Sequence, residues 1–165
     1  MDNADPGRKP RHILGMSFLD LAPEWSDQPL TDPTLAADVV DLMVSDRDRH
    51  NGTFTAILCG PDARFRAVVA IDLPAEFAEQ DVPLDPPGLC ATAMHPLVLA
   101  LRSEPGSCLL LALGRPGPPT WPEVDNEWST AATHLCQAAQ VPLLAFYIAT
   151  PDHIYQPLLA KANAA

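Results

Sequence analysis

The sequence predicts a three-layer domain of α/β class with mixed α+β character: a mixed central sheet, an N-terminal helix and hairpin, then α-β-α-β. Three observations carry this. "TFTAILC" and "RFRAVVAIDL" are β-rich runs separated by "GPDA", which reads as an antiparallel hairpin. "SCLLLAL" is a continuous apolar run, as expected of a strand covered on both faces. A long amphipathic segment joins it to a second such run, "VPLLAFYIA", and a strand, a helix and a strand in this order form a crossover with parallel strands.

The elements follow in order. Residues 1–30 read as an irregular extension in which "SFLDLAPEW" is an apolar patch. In "TDPTLAADVVDLMVSDRDRHNG", Thr31 or Asp32 caps a helix and Pro33 suits its first turn. Leu35, Val39, Leu42 and Met43 form one face, and Asn51-Gly52 ends the element. After the hairpin, "PAEFAEQDVPLDPPG" is a loop or short helix, and "HPLVLALRSEPG" is a helix opening at Pro96 and closing near Gly106. "TWPEVDNEWSTAATHLCQAAQ" is a long helix, with Thr120 and Glu123 as its capping box and Val124, Trp128, Ala131, Leu135 and Ala138 as its stripe. "HIYQPL" adds a short last strand, and residues 161–165 are a frayed tail. One domain over 31–160 accommodates all of this.

Composition narrows the function classes. The chain has 165 residues, 47% of them hydrophobic, which suffices for one buried core. Its formal charge is −11, and Arg115 is the only Lys or Arg between Ser103 and Ala160. Such a surface repels a phosphate backbone, so nucleic acid is not an expected partner. The basic cluster Arg8, Lys9 and Arg11 reads as a solvated tail. There is no apolar run near the roughly 18 residues that span a bilayer, and the polar N-terminus is unlike a signal peptide. A cytoplasmic protein without a membrane partner is the expectation. Cys59, Cys90, Cys108 and Cys136 form no CxxC pair and read as reduced thiols.

The loop "GRPGPPTWPEVD" between the third strand and the long helix is where chemistry is expected. It makes a poor phosphate cradle, because its prolines lack N–H groups and no GK[ST] follows. No GxSxG is present, and His134 and Cys136 do not face each other on a helix.

From Thr53 to Ile148 the chain resembles the JAB/MPN metalloprotease fold in its bacterial RadC-like branch. In that family a buried strand ends in His-x-His followed by Pro-Ser-Gly, a Pro-Ser-x-x-Asp segment opens a helix, and a Leu-Leu strand follows. Here the corresponding features are "CLLLAL", the turn Pro116-Gly117, Pro122 before Asp125, and "VPLLAFYIA". Active members hold zinc with two His and one Asp, and a Glu activates the bound water. This chain has "LALGR" where the two histidines belong, and Leu111 to Gly117 contain no His. The resemblance therefore implies an inactive domain that binds a protein partner or a second copy of itself, with no catalytic, metal or cofactor residues.

The residues to watch are Arg115, Trp121 and Asp125. Arg115 either takes the old metal position and pairs with Asp125 or points into solvent. Asp125 is a metal-ligand type, and equally a first-turn acid favoured by the helix dipole. Trp121 either packs over the helix start or anchors a partner. Two rivals stand beside the inactive reading. One is a metal-dependent hydrolase or peptidase with a displaced site built from Asp125, His95, His153 and one of Glu76 or Glu79. The other is a small-ligand sensor with an apolar pocket near the same loop. His134 lies nine residues past Asp125, and nine steps of about 100° put it on the far side of the helix.

Overall fold

The computed structural model describes residues 21–74, 85–118 and 121–157. The readings made for Arg8, Lys9, Arg11, Glu76, Glu79, Thr120 and the tail lie outside them. After a 3₁₀ turn at Trp25–Asp27 come α1 (Pro33–Met43), α2 (Asp46–Asn51), β1 (Thr53–Cys59), β2 (Phe65–Asp72) and α3 (Pro86–Leu101). Then follow β3 (Cys108–Gly114), α4 (Pro122–Ala139), β4 (Leu143–Ala149) and β5 (Ile154–Tyr155). No helix among the described residues is long and apolar enough to cross a membrane.

The five strands form one mixed sheet in the order β2-β1-β3-β4-β5. β3 and β4 are parallel, and the other neighbours are antiparallel. Strand alternation sorts the core into two layers around this sheet. Leu109, Leu111 and Leu113 of β3 pack with Phe54, Phe146, Trp128 and the buried faces of α3 and α4. Cys108, Leu110 and Ala112 pack on the opposite face with Ala36, Val39 and Val40 of α1. Every residue of β3 is buried, in keeping with its unbroken apolar run. The three-layer α/β reading therefore holds.

Three local expectations need correction. The helix expected over 31–51 is two helices. Asp32 caps α1 by accepting from Thr34 N at 3.0 Å, but Val44 leaves the helix with extended backbone. Ser45 then opens α2 with a reciprocal box: its hydroxyl accepts from Asp48 N, and the Asp48 carboxylate accepts from Ser45 N. The break buries Val44 completely and leaves Leu42 41% exposed, so the fully buried apolar positions of α1 are Ala36, Val39 and Val40.

Helix α3 opens at Pro86, ten residues before the expected Pro96, which lies inside it. An internal proline costs about 3 kcal/mol or more through the lost backbone bond and ring clash. Cys90, Ala93, Met94, Leu97 and Leu101 are nevertheless buried on one continuous stripe. At about 1.5–3 kcal/mol for each large apolar side chain, that burial outweighs the kink. On α4 the fully buried stripe is Asp125, Trp128, Ser129, Ala132 and Cys136. Val124, Ala131 and Leu135 sit at its margin, and Ala138 is exposed.

Candidate functional site

The site lies at the carboxyl end of the parallel pair β3–β4, where open α/β sheets form their ligand crevices. Arg115 extends β3 by one residue, its N–H donating to Ala149 O at 3.0 Å. Leu113 faces the α3/α4 layer, so alternation points Arg115 the same way, toward the start of α4. Asp125 stands in the first turn of α4, with its own N–H donating to Trp121 O at 2.9 Å.

The two side chains meet in a bidentate ion pair. Arg115 Nε donates to Asp125 Oδ1 at 2.7 Å, and a terminal nitrogen donates to Oδ2 at 2.9 Å. That same nitrogen donates to the Tyr155 hydroxyl at 2.9 Å. The other terminal nitrogen donates to Pro116 O at 3.0 Å and Pro118 O at 2.7 Å. All five guanidinium N–H donors are thus used. The carboxylate is also heavily engaged: Oδ2 accepts further from the Tyr155 hydroxyl and from Trp121 N. Of the four donors that meet the carboxylate, three converge on Oδ2 and one on Oδ1. Arg115 is 1% exposed and Asp125 2%.

The composition of the loop explains this arrangement. Pro116 and Pro118 have no N–H, so the segment presents carbonyls without matching donors. A guanidinium, which only donates, is their complement. The feature that disqualified the loop as an anion cradle makes it a cage for a cation, and the chain supplies that cation itself. Trp121 is half-buried, with its ring centroid 5.8 Å from the Arg115 guanidinium carbon, so it packs over the helix start against a charge. Burial first, and then the hydrogen bond to Asp125, push the Tyr155 phenol upward, which keeps it protonated as the donor.

The structure therefore brings Arg115, Trp121 and Asp125 together and adds Tyr155, which β5 delivers by pairing with Ile148. A second buried arginine closes the opposite face of the same sheet end. Arg49 of α2 is fully buried and binds the Asp41 carboxylate at 2.8 Å. It also donates to the carbonyls of Val44, Asp41 and Thr150. No sequence motif marks Arg49. It stands in a run of charges, and its partners come from α1 and from the end of β4.

The histidines among the described residues take no part in the cluster. His95 and His134 are exposed on α3 and α4, and His153 forms the β4–β5 turn, its backbone exchanging hydrogen bonds with Thr150. Among the described residues, no three His, Cys, Asp or Glu converge as a metal site. All four cysteines are free and buried. A cavity of about 350 Å³ lies between α4 and β4, lined by Ser129, Thr133, Cys136, Gln137, Phe146 and Gln156 among others. It is not lined by the Pro-rich loop, where a sensor pocket was expected.

No family model, curated protein or solved structure matches the chain.

Proposed function

We propose that this chain is a catalytically inactive domain of JAB/RadC-like type that works by binding a protein partner or a second copy of itself. In this reading the Arg115 guanidinium sits where an active member holds its metal, and its charge replaces the ion's. The observation that carries it is the closure of the site: all five guanidinium donors are engaged, two of them on the buried Asp125 carboxylate, which also accepts from Tyr155 and Trp121. A zinc ion would have to displace a buried Arg to reach Asp125, the only residue of the expected ligand set that remains. The net charge of −11 supports a protein partner over nucleic acid. The same composition fits a cytoplasmic setting.

Elemental analysis of the purified full chain tests this. The expected result is zinc far below one equivalent, unchanged in Asp125→Ala. Stoichiometric zinc that disappears in Asp125→Ala would overturn it and favour the displaced-site hydrolase.

A further inference from the structure

The outermost strand, β2, carries the sequence "FRAVVAID", and six of its eight residues are exposed. Val68 and Val69, at 40% and 38%, are among the most exposed large apolar side chains of the described residues. Sheet edges are ordinarily blunted by charge, proline, a bulge or a covering element, and β2 has a bulge and a charge at Arg66 and a second charge at Asp72. The run from Ala67 to Ile71 has no charge and no proline, and no described strand pairs with its outer edge.

We propose that β2 pairs antiparallel with β2 of a second copy of this chain, about a two-fold axis through Val69, joining two five-stranded sheets into one. This deepens the binding reading by naming the partner. It stands on β2 and not on the Arg115 lock, so the two fail separately.

The register follows from two independent features. Leu73 N–H donates inward to Gly52 O at 3.1 Å, so residues 71, 69 and 67 direct their backbone groups toward β1. Residues 68, 70 and 72 then direct theirs outward. A two-fold pairing centred on a residue of the strand matches outward groups with outward groups. Centring on Val69 places Val68 opposite the partner's Ala70, and Ala70 opposite the partner's Val68. The same choice sets Arg66 opposite the partner's Asp72, and Asp72 opposite the partner's Arg66. Centring on Ala70 instead sets Asp72 against an apolar residue of the partner. The strand is thus complementary in charge to its own inverse, with each ion pair repeated by symmetry.

Side-chain faces agree. Val69 lies opposite Ala56 in the β1 register and so shares the α3/α4 face, where it meets the partner's Val69. Val68, opposite Ile57, shares the α1 face with Ala70. Main-chain bonds supply the attraction and the paired side chains the specificity, as in other edge-strand additions.

Sedimentation velocity on the full chain up to about 100 µM tests this. The wild type is expected to be a dimer. Val69→Lys places two ammonium groups face to face and is expected to weaken the dimer by about a hundredfold or more. Arg66→Asp and Asp72→Arg each create like-charge pairs and are expected to weaken it by about tenfold, and the double reversal restores it. These positions are exposed, and circular dichroism of each variant checks that it folds. A monomeric wild type, a dimer indifferent to Val69→Lys, or a double reversal no better than the singles would overturn the proposal. A monomer that captures only a different protein would overturn it too, and would leave the inactive-domain reading standing.

Discussion

Replacing Asp125 by Ala removes the charged partner, among the described residues, of a guanidinium that is 1% exposed. Arg115 keeps two proline carbonyls and the Tyr155 oxygen, but its Nε–H and one terminal N–H lose their acceptor. The Tyr155 hydroxyl and Trp121 N–H lose theirs as well. Breaking a buried pair in this one-sided way costs about 3–5 kcal/mol, because a buried charge is left uncompensated. Total stability of a domain this size is about 5–15 kcal/mol. At a urea m-value of about 2 kcal/mol per molar, the loss shifts the unfolding midpoint down by about 1.5–2.5 M. Replacing both partners with apolar residues (Arg115→Met with Asp125→Leu) removes the charge along with its partner. The double variant is therefore expected to lose no more than Asp125→Ala alone, and a double-mutant cycle reads the coupling. Equilibrium urea unfolding at neutral pH is the assay. A loss below about 1 kcal/mol for Asp125→Ala, the level of a solvated surface pair, would refute the claim that the site is a closed lock.

Other outcomes follow from the same geometry. Tyr155→Phe orphans one Arg115 donor and one Asp125 acceptor position, so urea unfolding should show a loss of about 1–3 kcal/mol. At Gly114 an added Cβ would lie 3.0 Å from Cγ1 of the fully buried Val44 and 3.4 Å from Asp48 O. Gly114→Ala should therefore cost about 1–3 kcal/mol by overpacking, seen as a lower thermal midpoint. Burial pushes the thiols of Cys59 and Cys136 up to about 11 and that of Cys90 up to about 12, from a usual value of 9.0. The folded state then retains protons that the unfolded chain releases. The thiol contribution is complete below pH 9.0 and is lost as the pH rises toward those values, so the urea midpoint should fall between about pH 9 and 11. A midpoint that rose or stayed level would contradict the burial of these groups. A thiol reagent at pH 8 should label none of the four before unfolding.

Much of the fold was legible because its strands are marked by local pattern. "CLLLALG" is apolar throughout and is buried throughout, and the hairpin and the parallel crossover around α4 were readable from order alone. The errors share a cause, which is that tertiary contact outranked local signal. "SDRD" carries a capping box in plain view, but it follows directly on the apolar period of α1 with no glycine or proline until Gly52, so local pattern does not mark the break at Val44. Pro96 looked like a helix start, although Pro86 and Pro87 mark the real one. The register of α4 was misplaced because two of its buried positions, Asp125 and Ser129, are polar. Hydropathy cannot anticipate a buried carboxylate whose partner arrives from the end of another strand. Arg115 stood out as a lone cation in an acidic half of the chain, and its pairing with Asp125 was one of two open readings. Tyr155 carried no such signal, since only the β4–β5 pairing brings it to the site.

The lock itself can be observed by following the Arg115 Nε–H resonance of the nitrogen-15-labelled full chain during a zinc titration. A guanidinium whose donors are all engaged gives a distinct, slowly exchanging signal that added zinc leaves unmoved. A signal that shifts or vanishes, saturating at one equivalent of zinc, would show that the metal displaces Arg115, and the account of a closed, inactive site would be wrong.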